Sequence, residues 1–153
     1  MVNHLKYMQL AYAEAQKALN IMEVPVGAVI VKDDNVIGAG YNKKETNKNP
    51  LSHAEIEAIY DSCKNTGNWR LNGAVMYVTA EPCIMCSGAI LHARIDKVYF
   101  GVNEPKFGGV SSVAHIFDIK ELNHKVEYSS GIMSEEISQM MKEFFIKLRN
   151  SKG

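Results

Sequence analysis

Cysteine, chain breakers and net charge are all scarce in this chain. Three cysteines in 153 residues cannot all pair, and Cys63 stands apart from the close couple Cys83 and Cys86. A disulfide-stapled secreted framework is thereby excluded, and the thiols are expected to be reduced. Eleven glycines and four prolines are too few for a collagen-like, linker or disordered chain, while 46% hydrophobic against 22% charged residues is a globular composition. Seventeen Lys and Arg balance seventeen Asp and Glu. No global basic field therefore marks a nucleic-acid binder, and such a partner would have to be gripped by a local patch. No apolar run is long enough to cross a bilayer, the longest being about Gly27 to Val31. The first seventeen residues carry Lys6 and Glu14 and no small-residue cleavage site. One cytoplasmic domain over 1–153, with no membrane association, is the expectation.

What is present is an alternation of periods. Leu5, Met8, Tyr12, Ala15 and Leu19 recur at helical spacing and predict an amphipathic helix over 3–20. A β-branched run over 24–31, a turn at Asp33-Asp34-Asn35 and a second run over 36–41 predict a hairpin. The polar segment 43–51 holds Lys43, Lys44 and Lys48 against Glu45, a net +2, and reads as an exposed loop. Ser52 opens a helix to about Asn65, ended by Gly67 and Asn68. A strand over 74–80, a helix over 82–93 and a strand over 97–101 follow, and this alternation favours parallel pairing with a right-handed crossover. The stretch 102–124 holds Gly108-Gly109 and one short helical candidate, 113–119. Loops that long tend to be functional. A weak fifth strand over 126–128 precedes a closing helix over 134–149, with Ile137, Met140, Met141, Phe144, Phe145 and Leu148 on its apolar side. The fold class is α/β, a three-layer domain around one mixed sheet.

Three metal-compatible donors lie close to predicted helix starts: His53 one position after Ser52, and Cys83 and Cys86 beside Pro82. Unsatisfied N–H groups and the macrodipole at a helix N-terminus stabilise a thiolate, and a dication does so more strongly. Cys83 and Cys86, three apart, project from one helix face. Four protein ligands would close a structural zinc site, whereas three leave a position for water, as in catalytic sites. Glu55 is well placed to reach such a water and to move its proton. Each part has a plainer reading. Ser52-x-x-Glu55 is also a capping box, and Cys-x-x-Cys can be a redox pair or half a structural zinc site. Cys63 reads as a small core hydrophobe. His92, His115 and His124 lack ligand-spaced companions.

His-x-Glu followed by Pro-Cys-x-x-Cys is the signature of zinc nucleobase deaminases, and with it the chain resembles the cytidine-deaminase superfamily. Within that superfamily it is most similar to the bacterial tRNA-specific adenosine deaminases. Glu23-Val24-Pro25-Val26-Gly27-Ala28-Val29, Gly40-Tyr41-Asn42, Tyr77-Val78-Thr79, Gly88-Ala89-Ile90, Phe100-Gly101, Asn123-His124 and Phe144-Phe145 carry the similarity over nearly the whole length. The resemblance implies a three-layer α/β/α cytidine-deaminase-like fold with one mixed five-stranded sheet. It also implies one zinc per chain on His53, Cys83 and Cys86, with Glu55 as proton shuttle and Asn42 on the extruded base. A homodimer with a tRNA anticodon loop in its shared groove is implied too, the reaction being adenosine to inosine at the wobble position. Lys106, Phe145 and Arg149 are candidate RNA contacts, the last within a tail where Lys142, Lys147, Arg149 and Lys152 face only Glu143, a net +3. Against the family pattern, Ala80 replaces a usual leucine, Glu104 a common aspartate, and Ile146 and Leu148 interrupt a stretch often richer in arginine. Two other function classes stand beside this one: a hydrolase of free nucleobases or nucleosides, and a non-catalytic zinc or RNA-binding module in which Glu55 only caps its helix.

Overall fold

The computed structural model describes residues 2–152, and the side chain of Lys152 lies outside the described part. Helix α1 (His4–Asn20) leads into the hairpin β1 (Gly27–Lys32) and β2 (Asn35–Tyr41). Then follow α2 (Ala54–Thr66), β3 (Val75–Ala80), α3 (Ile84–His92), β4 (Lys97–Val102), a single 3-10 turn at Ile116–Asp118, β5 (Glu127–Ser130) and α4 (Ser134–Lys152). The sheet order is β2-β1-β3-β4-β5. Strand β1 is antiparallel to both neighbours, whereas β3, β4 and β5 run parallel. Strands β2 and β3 therefore point the same way with β1 between them, and α2 makes the crossover.

Alternation along the strands divides the interior into two cores. Ala28 and Ile30 of β1, Met76 and Val78 of β3, and Val98 and Phe100 of β4 face α2 and α3, where Ala54, Ala58 and Ile90 meet them. Val29, Val31, Tyr77 and Tyr99 point the other way onto Tyr7, Met8 and Ala11 of α1 and Ile137 of α4. The result is the expected α/β/α layering of one mixed five-stranded sheet, whose central strands β1, β3 and β4 are buried on both faces.

Differences from the sequence reading fall at element ends. Strand β1 starts at Gly27 instead of residue 24, because Pro25 has no N–H and the Val26 amide turns back to the Val24 carbonyl at 2.8 Å. The short helix expected over 113–119 shrinks to one 3-10 turn, and β5 lies at 127–130. Helix α2 starts at Ala54 with His53 as its N-cap and no side-chain capping bond. The Ser52 hydroxyl instead accepts from Asn47 Nδ2 at 3.2 Å. Glu55 is thus the second helical residue and caps nothing, so the capping-box reading fails.

Close approach of backbones fixes where α2 sits. A Cβ on Gly40 would meet the Ala58 amide nitrogen at 2.5 Å and the Ala54 carbonyl at 2.6 Å, and one on Gly38 would run into the Ser62 side chain and the Ala58 carbonyl. Two glycines on β2 facing Ala54, Ala58 and Ser62 let the helix lie almost on the strand. We expect Gly40→Ala to cost about 1–3 kcal/mol, since rigid backbone has to give way. Ser62→Ala should be neutral or stabilising by up to about 1 kcal/mol, because Ser62 Oγ is buried with no hydrogen-bond partner among the described residues. Urea unfolding midpoints of the two variants check both signs.

Candidate active site

Every segment that reaches the cleft leaves the same edge of the sheet. Strands β2, β3 and β4 end there at Tyr41, Ala80 and Val102, and β1, running opposite, begins there at Gly27. A crevice outside the carboxyl ends of parallel strands is where α/β sheets bind ligands. A cleft of about 320 Å³ opens at this edge. It is lined by Val24 and Val26 before β1, Asn42 and Lys44 after β2, and His53, Ala54 and Glu55 at the start of α2. Ala80, Glu81, Cys83, Glu104 and Phe107 after β3 and β4, and Met141 of α4, complete it.

Two helix starts converge on its floor. His53 caps α2 in an extended conformation, which frees its ring to face the cleft. Cys83 caps α3 and its sulfur accepts from the Cys86 amide at 3.5 Å. His53 Nδ1 lies 3.6 Å from both Cys83 Sγ and Cys86 Sγ, and all three donor atoms fall within 4.8 Å of one another. A tetrahedral ion with zinc–sulfur and zinc–nitrogen bonds of the usual length would separate N from S by about 3.6 Å. The spacing fits, and the group can hold a metal ion. Cys63, half-buried on α2, makes a polar contact with the Trp69 carbonyl and stands outside. His124 is engaged with the Ile95 carbonyl and His115 with Asp118.

The electrostatics are those of a proton-sharing pocket. The Cys83 thiol is held down to about 4, first by its hydrogen bond with Cys86 and then by His53. Cys86 is pushed up by the same bond and by burial. His53 is raised, chiefly by its bond to Cys83. The Glu55 side chain, 4% exposed, is pushed up to about 7 by burial first, with the anionic Cys83 adding to the effect. A carboxyl poised near neutrality takes and gives protons at working pH.

Asn42 is buried and already half committed, with Nδ2 donating to the Val24 carbonyl and Oδ1 accepting from the Lys44 amide, each at 3.2 Å. One N–H and one lone pair of its amide remain for a ligand. Lys106 is exposed beside the rim. Phe145 and Arg149 do not line the cleft, and Met141 does so in their place. The three residues are four apart on α4, so they form one stripe leading away from it.

Two buried carboxylates missed by the sequence reading hold the lips. Glu23 accepts from the amides of Glu45 and Thr46 at 3.1 and 2.6 Å. Glu81 accepts from the amides of Glu104, Val110, Ser111 and Ser112 at 2.8–3.1 Å, and from the Ser112 hydroxyl. Burial would raise both carboxyls, but the gathered donors outweigh it and each lies below the ordinary value. A glutamate beside a loop carries no periodic signal. Only the placing of Glu23 and Glu81 just before β1 and just after β3 could have pointed to them.

The fold with this cleft and donor set defines a deaminase. The MafB19-like deaminase profile matches residues 2–149. The chain belongs to the family of tRNA-specific adenosine deaminases. It is 45% identical over 148 residues to the tRNA-specific adenosine deaminase of Haemophilus influenzae, covering 96% of this chain and 86% of that protein. To the one from Bacillus subtilis it is 42% identical over 146 residues, covering 95% and 91%. A solved structure from a study of A-to-I editing by tRNA:A34 deaminases at the wobble position superposes with a TM-score of 0.85 at 39% identity, covering 88% of this chain and 98% of that one. A guanine deaminase from Nitrosomonas europaea shares the fold, with a TM-score of 0.80 at 15% identity over 94% of this chain and 85% of that one. The fold alone therefore does not choose the substrate.

Because the folded Glu23 carboxyl lies below 4.5, its stabilisation is complete above that pH and is lost as pH falls through the lowered value. Glu23→Gln can satisfy only one of the two amides. We expect it to lose about 1–3 kcal/mol at pH 7 and to show a flatter acid limb below pH 4.5. Urea titrations across pH 3 to 7 test this.

Proposed function

We propose that the protein hydrolyses the 6-amino group of adenosine to give inosine at the wobble position of a tRNA anticodon loop. The observation that carries the proposal is the convergence of His53, Cys83 and Cys86 with the buried Glu55 on the floor of one cleft, in a chain over 40% identical to tRNA-specific adenosine deaminases. His53, Cys83 and Cys86 would hold one zinc ion through one nitrogen and two thiolates, a donor set suited to that metal. When bound, zinc supplies Lewis acidity that makes water a nucleophile near neutral pH. Glu55 takes a proton from the attacking water and gives it to the ring nitrogen next to C6. The water oxygen bonds to C6, the C6–N bond breaks, and a second transfer through Glu55 lets the amino group leave as ammonia. A carboxyl pushed up to about 7 suits a group that must accept and then donate. Asn42 offers its free N–H and lone pair to the edge of the base. An anticodon loop presents unstacked bases, so extrusion costs little.

The RNA would lie across the rim, with Lys106, Phe145 and Arg149 contacting its backbone and bases. The proposed assembly is a homodimer, supported by exposed Leu51, Tyr60, Trp69 and Ile84 on and beside α2 and α3. The proposed location is the cytoplasm, where tRNA is modified. No described helix is long and apolar enough to cross a membrane.

Cys86→Ser should lose most bound zinc and Cys63→Ser none, which elemental analysis of purified protein decides. Glu55→Gln should keep its zinc and its unfolding midpoint while ammonia release from anticodon stem-loop RNA falls at least about 10²- to 10⁴-fold. Near-normal release would remove the proton-transfer role from Glu55. Release from free guanine, cytosine or adenine, with none from the RNA, would favour a free-base hydrolase.

A further inference from the structure

Phe107 is 68% exposed and lines the cleft, yet it stands on a loop tied down by several backbone hydrogen bonds. The Gly108 amide donates to the Glu104 carbonyl at 2.9 Å, the Lys106 amide to the Glu104 carboxylate at 3.1 Å, and the Glu104 amide to Glu81 at 3.0 Å. Beyond Phe107 the amides of Val110, Ser111 and Ser112 close on the same Glu81 carboxylate. A Cβ on Gly108 would enter that carboxylate, and one on Gly109 would meet the backbone of Cys83 and Ile84 at 2.8 Å. The Gly109 amide also donates to the Pro82 carbonyl at 2.8 Å. The loop is thus bolted to the residues that open α3, and its aromatic ring belongs to neither buried core.

A large apolar ring carried on a tethered backbone at the mouth of a cleft, beside the cationic Lys106, has only its two side-chain torsions to fix on binding and a flat face without an aromatic partner among the described residues. A nucleic-acid base supplies that partner, and stacking tolerates any base. The reacting base must reach the floor, where Glu55 is 4% and Cys86 0% exposed. The ring at the rim therefore meets the next base along the strand. We propose that Phe107 stacks on the base adjacent to the reacting nucleotide, and that Glu81 is the positioning residue that presents it. The inference rests on the RNA substrate proposed above and adds the residue that reads its neighbour.

Ammonia release is measured with a wobble-adenosine stem-loop and with two versions lacking the base on the 5′ or the 3′ side of that adenosine. Phe107→Ala should raise KM for the intact RNA about tenfold, within the range of one base–aromatic stack, with zinc content unchanged and the loss carried by KM and not kcat. Phe107→Tyr should restore KM and Phe107→Leu should not. One abasic RNA should raise KM for the wild type without worsening Phe107→Ala further, the non-additivity expected of two halves of one contact. Glu81→Gln should raise KM in the same way and add little to Phe107→Ala. Should Glu81→Gln fail to fold, Ser112→Ala, which removes one donor, should give a smaller shift of the same kind. An unchanged KM in Phe107→Ala, full activity in Phe107→Leu, simple addition of the Phe107→Ala and abasic effects, or dissociation of the assembly on losing the ring would each overturn the stacking role. Additive effects of Glu81→Gln and Phe107→Ala would overturn the positioning role. A wild type that releases no ammonia from intact RNA defeats the proposed substrate and this inference with it. Wild-type turnover with an indifferent Phe107→Ala defeats this inference alone.

Discussion

The donor cluster depends on a contact between two backbones. Helix α2 lies against β2 at a distance only glycine permits, with Gly38 and Gly40 meeting Ala54, Ala58 and Ser62. Because the helix starts beside the end of the strand, this contact decides where His53 and Glu55 arrive. Cys83 and Cys86 come independently, from the turn that follows β3. Nothing covalent joins the two groups, so 3.6 Å between imidazole and both sulfurs is set by how closely α2 and α3 each sit on the shared sheet. Packed interiors transmit small volume changes, and one methyl group at Gly40 would be felt at His53.

A second constraint is electrostatic and shapes the lips. Long loops at a ligand site need their amides satisfied without regular pairing. Here Glu23 and Glu81 serve as buried anions around which the loops after β2 and β4 fold. Each carboxylate accepts several N–H donors, the arrangement that favours ionisation despite burial. The floor follows the opposite logic. Glu55 is pushed towards neutrality chiefly by burial, so one residue type fixes loops at two positions and, in the proposed mechanism, moves protons at a third.

Much of this was legible beforehand. Apolar period, β-branched runs and helix start and stop signals place all four helices and five strands, with ends that shift by a few residues and one extra short helix over 113–119 that is a 3-10 turn. His-x-Glu with Pro-Cys-x-x-Cys located the floor, because metal ligation demands particular side chains at particular spacing. The capping alternative at Ser52 and Glu55 is not resolved by sequence, since the capping box Ser52-x-x-Glu55 contains the motif His53-x-Glu55. Only the observed N-cap at His53 separates them. Met141 and Phe145 both belong by period to the apolar side of α4, and the sequence offers Phe145 and Arg149 as substrate contacts, whereas the cleft is lined by Met141. Helical period names a stripe but not the point at which it passes the cleft. The loop-holding roles of Glu23 and Glu81 are not legible, although Glu23 lies in a family segment, because their partners are backbone amides, which every residue except proline supplies.

That last property bears on how the site can change. A loop fastened mainly through its amides makes few demands on the other side chains it carries, so positions 103, 106 and 107 can be exchanged without altering its path, provided Glu104, Gly108, Gly109 and Ser112 remain. Framework and reading surface are separable along this stretch: Glu81 and the two glycines hold the shape, and the residues between display whatever chemistry the substrate requires. Phe107 and Lys106 occupy replaceable sockets, and under the proposed function altered base preference can arise there by single substitutions while His53, Cys83, Cys86 and Glu55 stay untouched.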